Sequence, residues 1–222
     1  MLAQHAAYVE ALESLGLEIH TLDALEEFPD AHFVEDTAVV TAELAVITRP
    51  GAAERRGEEA SIEAALAGYR PIRRIEAPGA VDGGDVLEID GHFFIGLSQR
   101  TNEAGADQLG RALEGVGATW STVPVGDGLH FKSSVNELGG RRLIMCEAFE
   151  QMDAFAEYDR VVVPRDEEYA ANSLWVNGTI LIAAGFPRTR ERIEDLGLPI
   201  IELEMSEARK MDGGLTCLSL RL

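Results

Sequence analysis

The sequence predicts an α/β fold built from five like units of the order strand–turn–strand–helix–strand, carried in a single domain spanning residues 1–222. Three observations predict it. Five stretches of the chain share one syntax, in which a polar or glycine-rich cluster is followed by a short alternating strand, and in four of them by a turn and a second apolar strand. The key polar residue of each opening cluster recurs at near-constant spacing. The unit that ends at the C-terminus finds a helix and a last strand at the N-terminus. Repeats near this period form rings or stacks of like units. In a ring, each opening cluster faces one axis, so five residues distant in sequence share a pocket.

The stretches run in order along the chain. They are "FVEDTAVVTAELAVITRPGAAERRGEEA", "VDGGDVLEIDGHFFIGLSQRTNEAGADQ", "LHFKSSVNELGGRRLIMCEAFEQMDAFA", "AANSLWVNGTILIAAGFPRTRERIEDLG" and "MDGGLTCLSLRL". The first four turn at Glu43, Asp90-Gly91, Gly139-Gly140 and Asn177-Gly178. Each continues into a charged segment with helical spacing and a third strand, "RPIRRIEAP", "ATWSTVPV", "DRVVVPRD" and "LPIIELEM". The opening residues Asp36, Asp82, His130, Asn172 and Cys217 are spaced by 46, 48, 42 and 45 residues. "LAQHAAYVEALESLG", with Ala7, Val9, Leu12 and Leu15 near one face, supplies the fifth helix, and "LEIHTL" its last strand. Cys217 is thereby expected on the first strand of the closing unit.

Composition narrows the function. At 46% hydrophobic and 26% charged residues, the 222-residue chain can bury a real core. No apolar stretch is long enough to span a membrane, and the N-terminus carries no basic n-region or cleavage site. Two cysteines far apart make no disulfide framework, which points to a reducing compartment such as the cytoplasm. The net charge of −20, from 39 acidic and 19 basic residues, argues against nucleic acid and anionic membrane as partners and favours cationic ligands.

Cys217 is the candidate nucleophile, since a thiol ionises more readily than a hydroxyl and its preceding glycines admit a ligand close to the backbone. Cys146, in "RRLIMCEAF", reads as a buried small hydrophobe. Of five histidines, only His130 occupies an opening position, which makes it the candidate acid–base. Glu35, Asp36, Asp82 and Asp85 lie in two more openings. Acidic residues beside glycines commonly form turns, but four carboxylates directed inward need a cation. A metal is one such cation, yet the candidate histidine stands alone and no HExxH or CxxC spacing exists. A planar guanidinium, which matches carboxylates through paired hydrogen bonds, is the other. Arg55, Arg56 and Arg100 lie near the same strands, either as surface charges or as partners of a ligand carboxylate. Carboxylates at one end and arginines at the other would suit an amino acid with a cationic tail.

The stretches "FPDAHFVEDTAVV", "ITRPGAAERRGE", "GGDVL", "FFIGLSQRTN", "TVPVGDGLHFKS", "AANSLWVN" and "MDGGLTC", in this order and spacing, make the chain similar to dimethylarginine dimethylaminohydrolases. These belong to the guanidine-modifying, or pentein, superfamily. The resemblance implies a five-bladed αβ-propeller around a central pocket, with one blade incomplete at the N-terminus. It implies a cofactor-independent, metal-free hydrolase that converts methylated arginine to citrulline and a methylated amine. By resemblance Cys217 is the nucleophile, His130 the general acid–base, and Asp82 the acid that orients histidine and substrate. Asp36, with Glu35 beside it, contacts the guanidinium. Arg55 and Arg100 hold the α-carboxylate, and Asp30 and the main-chain carbonyl of Met211 hold the α-amino group. A homodimer is compatible with this reading. Members of the family usually begin about thirty residues earlier, so the chain is expected to be N-terminally shortened. An arginine deiminase-like enzyme and a non-catalytic arginine-binding protein are the alternatives.

Overall fold

The computed structural model describes residues 1–126 and 130–222; Asp127, Gly128 and Leu129, inside the motif "TVPVGDGLHFKS", lie outside the described residues. The chain starts with helix α1 (Leu2–Ser14). Four units follow: β1 (Ala38–Val40), β2 (Ala45–Ile47), α2 (Glu59–Leu66) and β3 (Ile72–Arg74); β4 (Val86–Ile89), β5 (His92–Leu97), α3 (Glu103–Glu114) and β6 (Thr119–Pro124); β7 (Val135–Gly139), β8 (Arg142–Met145) and β9 (Asp159–Val162); and β10 (Leu174–Val176), β11 (Thr179–Ala183), α4 (Pro187–Glu194) and β12 (Ile200–Leu203). A short helix, α5 (Ser206–Arg209), comes last.

Each unit makes one three-stranded sheet of the same topology. Its first two strands form an antiparallel hairpin and its third runs parallel to the middle strand. The hairpins turn where the sequence predicts. Asp90-Gly91 has φ of 52° and 78°, and Asn177-Gly178 has 47° and 84°, the positive pair that matches the twist of a two-residue hairpin. The parallel third strand needs a crossover, which α2, α3 and α4 supply in three units. Middle strands are covered on both faces and read as continuous apolar runs: every residue of β2 and of β11 is buried.

Two expectations fail. The crossover of the third unit contains two 3₁₀ turns, Glu147–Phe149 and Asp153–Phe155, in place of a helix. The reason lies in its anchors. Phe149 and Phe155 are both buried, and six residues apart they would point about 120° away from each other on an α-helix, so separate turns seat them better. The second correction concerns the fifth unit. Residues 17–22 and 215–222 form no strand; Cys217 lies instead in a 3₁₀ turn, Thr216–Leu218. Neither segment has a partner strand among the described residues, and a strand without a ladder leaves its backbone groups to water.

The chain divides into two compact units. One comprises Leu22–Phe131 with Cys217–Leu222, the other Met1–Thr21 with Lys132–Thr216. In the first, α3 packs Ala106, Leu109, Ala112 and Leu113 against Val86, Phe93 and Ile95 of β4 and β5 and Val39 and Val46 of the first sheet. Ile62 and Leu66 of α2 cover Ala38, Ala45 and Ile47, and Leu220 from the C-terminal tail joins that layer. In the second, α1 packs on β12 with Tyr8, Ala11 and Leu12 buried, and Asn177 Nδ2 donates to the Leu15 carbonyl at 2.8 Å. Here Asn172, the opening residue of the fourth unit, is a structural clamp. Its Oδ1 accepts from Thr216 N–H at 3.0 Å and its Nδ2 donates to the Lys132 carbonyl at 3.1 Å. Among the described residues, no helix is long and apolar enough to cross a membrane.

Candidate active site

The openings found by spacing share a local form: each is a turn of 3₁₀ helix leading into, or standing in place of, a first strand. Asp36 lies in Val34–Thr37, Asp82 directly precedes Gly83–Asp85, His130 directly precedes Phe131–Ser133, Asn172 directly follows Arg165–Ala171, and Cys217 sits within Thr216–Leu218. A 3₁₀ helix rarely runs beyond a turn, so each makes a tight corner with a polar side chain fixed at it. Asp36, Asp82, His130 and Cys217 all belong to the unit of Leu22–Phe131 and Cys217–Leu222, and all four are buried.

The first two corners interlock. Gly84 N–H donates to Asp36 Oδ1 at 3.0 Å, and Thr48 Oγ, beyond β2, donates to the Asp36 carbonyl at 2.6 Å. Glycine is required at both positions of the second corner. A Cβ on Gly83 would lie 2.1 Å from the Glu35 carbonyl, and one on Gly84 would lie 2.7 Å from Asp36 Oδ1 and 2.9 Å from the His130 ring. The imidazole and both carboxylates therefore meet over a bare backbone.

His130 Nε2 lies 2.9 Å from Asp82 Oδ2 and 3.8 Å from Asp36 Oδ1. A carboxylate only accepts, so Nε2 carries the proton and donates it to Asp82. Asp82 Oδ1 accepts from Gly51 N–H at 2.8 Å, which fixes the carboxylate plane. Burial alone would push the imidazole towards neutrality. The charge of Asp36, the hydrogen bond to Asp82 and the charges of Asp85 and Asp82 outweigh it and raise the His130 pKa to about 9. The imidazole is thus a proton donor at neutral pH. Burial likewise opposes ionisation of Asp36, but His130, Arg55 and Gly84 N–H hold its carboxyl below the usual value.

Arg55 is engaged by protein carboxylates and carbonyls. Its Nη1 donates to Asp36 Oδ2 at 2.5 Å, its Nε and Nη2 fork onto Glu58 Oε2 at 3.0 and 2.7 Å, and Nη2 also reaches the carbonyls of Asp30 and Phe33. This buried guanidinium is ion-paired with Asp36 and Glu58 and holds the Asp36 carboxylate. Arg100 is half-buried, with its N–H on Ser98 Oγ and its carbonyl pressed against Gly51, where a Cβ would come within 2.3 Å. Glu35 is buried and Asp30 half-buried in the same unit. Met211 belongs to the other unit, exposed in the turn after α5.

Cys217 is held by its neighbours, Leu218 buried and Leu220 packed on the first sheet beside α2. Cys146 is the inert thiol the sequence suggests: burial pushes its pKa up to about 11, and its Sγ faces the Glu168 carbonyl at 3.8 Å. Glu58 escaped the sequence reading, although its place three residues after Arg55, in "ERRGEE", was a legible sign of an ion pair. Ser98, Thr101 and Gly51 gave no signal, because their contacts cross between distant loops.

Among the described residues of this unit, five carboxylates, Glu35, Asp36, Glu58, Asp82 and Asp85, and two basic groups, Arg55 and His130, are buried. The excess of negative charge favours a cationic ligand. Asp36, Asp82 and His130 bring oxygen and nitrogen atoms within 4.8 Å of one another.

No family model matches the chain. It is 43% identical over 222 residues to N(G),N(G)-dimethylarginine dimethylaminohydrolase of Pseudomonas aeruginosa, covering 99% of the chain and 87% of that relative. It is 40% identical over 223 residues to the enzyme of the same name from Streptomyces coelicolor, covering 100% of the chain and 85% of the relative. A solved structure of the Pseudomonas aeruginosa protein, a cysteine-to-serine variant complexed with citrulline, superposes with a TM-score of 0.97 at 43% identity over 100% of this chain and 88% of that one. The N-terminal domain of the cyanobacterial arginine dihydrolase ArgZ shares the fold at a TM-score of 0.90 and 18% identity, over 99% of this chain and 85% of that one.

Proposed function

The chain belongs to the dimethylarginine dimethylaminohydrolase family, and from that premise we propose that it hydrolyses Nω-methylated arginine to citrulline and methylamine or dimethylamine. The observation that carries this reading is His130, hydrogen-bonded to Asp82 at 2.9 Å inside a buried cluster rich in carboxylates. Such a site accepts a guanidinium and hands a proton to a departing amine.

The thiolate of Cys217 attacks the guanidinium carbon, forming a C–S bond. His130 gives its proton to the methylated nitrogen as the C–N bond breaks, and the amine departs, leaving a thiouronium on Cys217. The neutral imidazole then takes a proton from water. The hydroxide so formed attacks the same carbon, the C–S bond breaks as the added hydroxyl loses its proton to solvent, and citrulline leaves with the thiolate restored. Asp82 orients the imidazole throughout and stabilises its cationic form. Asp36 and Glu35 accept hydrogen bonds from the substrate guanidinium, while Arg55 locks Asp36 in place. Arg100 holds the α-carboxylate and Asp30 the α-amino group. The chain passes between its two compact units three times, at residues 21–22, 131–132 and 216–217, which favours one catalytic domain over two. The chemistry requires a reduced thiol, which fits the cytoplasm.

Citrulline release from asymmetric dimethylarginine, with plain arginine as control, tests the reading. Citrulline from the methylated substrate supports it. Release from arginine alone, or tight binding of dimethylarginine without release, overturns it.

A further inference from the structure

Asp85 is fully buried and accepts three hydrogen bonds. Oδ1 accepts from Phe131 N–H at 2.9 Å; Oδ2 accepts from Ser98 Oγ at 2.6 Å and Thr101 Oγ at 2.7 Å. Three donors converge on one side chain, which suits an acceptor-only carboxylate. Each donor leads to a part of the candidate site. Phe131 N–H belongs to the residue after His130. Thr101 Oγ accepts from Asp82 N–H at 3.1 Å. Ser98 Oγ accepts from Arg100 N–H at 2.9 Å and Thr101 N–H at 3.2 Å. With the contact of His130 Nε2 to Asp82 Oδ2, four hydrogen bonds and the peptide link between His130 and Phe131 close a ring: Asp85, Thr101, Asp82, His130, Phe131 and back to Asp85.

We propose that Asp85 is the positioning residue of this site, a buried carboxylate that sets the distance between Asp82 and His130 by anchoring the backbone of both and that fixes the loop bearing Arg100. It touches no substrate on this account, although its place in "VDGGDV" grouped it with the carboxylates turned towards a ligand. Asp85 and Asp82 stand at opposite ends of one 3₁₀ turn, and Asp85 N–H donates to the Asp82 carbonyl at 3.0 Å, so the two carboxylates are held rigidly relative to each other. Among the described residues, the carboxylates whose charges act on His130 include Asp36, Asp82 and, at longer range, Asp85, with Arg55 behind Asp36. Removing the charge of Asp85 while keeping its shape therefore weakens the hold on the imidazolium and loosens the acceptor that Ser98 Oγ and Thr101 Oγ share.

The proposal rests on His130 and Asp82 acting as the proton pair of the hydrolase. Its test is Asp85→Asn in the full chain, read by NMR titration of the His130 imidazole without substrate and by dimethylarginine kinetics across pH. Asparagine keeps an acceptor for Phe131 N–H but not the charge. The expected result is a His130 pKa that falls from about 9 towards the ordinary histidine value, with the alkaline limb of kcat moving the same way. The kcat is expected to drop about 10- to 100-fold at little change in KM. An unchanged titration and alkaline limb, whatever happens to stability, overturns the proposal. Should Asp85→Asn not fold, Thr101→Val cuts the ring on the Asp82 side alone: a loss of kcat that Thr101→Ser restores supports the proposal, and wild-type kcat in Thr101→Val overturns it. Because the titration needs no substrate, a wild-type chain inactive on dimethylarginine would sink the hydrolase reading and leave the titration to judge Asp85.

Discussion

Gly84→Ala tests the packing of the candidate site with one methyl group. Its Cβ would sit 2.7 Å from Asp36 Oδ1 and 2.9 Å from Cγ and Nδ1 of His130, where ordinary contact begins at 3.4 Å. The carboxylate must therefore retreat by about 0.7 Å and the ring by about 0.5 Å. Neither moves freely. Asp36 is clamped by Arg55 and by Gly84 N–H, and His130 by Asp82 at 2.9 Å, a hydrogen bond that weakens steeply on stretching. Overpacking of this kind costs about 1–3 kcal/mol, which for a chain of this size lowers Tm by roughly 2–12 °C. Displacement of the proton donor by a fraction of an ångström is expected to lower kcat about 10- to 100-fold. Thermal melts and citrulline release at saturating dimethylarginine measure both. Gly68→Ala is the control, since nothing lies within 4 Å of its Cβ, and it should leave Tm and kcat at wild-type values. Wild-type Tm and kcat in Gly84→Ala would refute the argument that these three groups meet over a bare backbone.

Other variants probe separate parts of the site. Cys217→Ser should abolish turnover while Cys146→Ser retains most of it, and mass spectrometry of a trapped adduct should place the label on the peptide containing Cys217; label on Cys146 would sink the mechanism. Arg55→Ala leaves Asp36 and Glu58 buried without their cation and should destabilise the fold by about 3–5 kcal/mol. Arg100→Ala should instead raise KM about tenfold or more with Tm nearly unchanged, and a matching Tm loss in both would show that Arg100 is structural too. Stability should depend on pH through His130. Its folded pKa of about 9 lies above the unfolded value near 6.5, so its contribution is complete below about pH 6.5 and is lost as pH rises through 9. The difference corresponds to about 3 kcal/mol; a denaturant midpoint that stays flat between pH 6.5 and 9.5, or a His130→Gln variant with the same slope, would contradict the ion-paired imidazole.

Local pattern alone was enough to place the units and their corners. Four hairpins, their turn residues, the third strands and the spacing of Asp36, Asp82, His130, Asn172 and Cys217 were all legible, because each rests on periodicity or on residues such as Asn-Gly whose backbone preference acts locally. The places where the reading failed have a common cause. "LTCLSLRL" alternates like a strand, but a strand exists only through a partner's backbone, and alternation cannot report whether one is present. "CEAFEQMDAFA" is polar and apolar in helical proportion, but the pockets awaiting Phe149 and Phe155 decided its path. Within the site, composition revealed that carboxylates outnumber cations; only tertiary structure decided their employment. Asp82 and Asp85 are three residues apart on one turn and nearly indistinguishable in sequence, yet one faces His130 and the other faces Ser98, Thr101 and Phe131 N–H. Arg55 and Arg100 read alike as ligands for a carboxylate, until Asp36 and Glu58 close on the first. A carboxylate or guanidinium takes its role from the charges and donors that burial brings within about 4 Å, and those arrive from loops that sequence proximity does not connect.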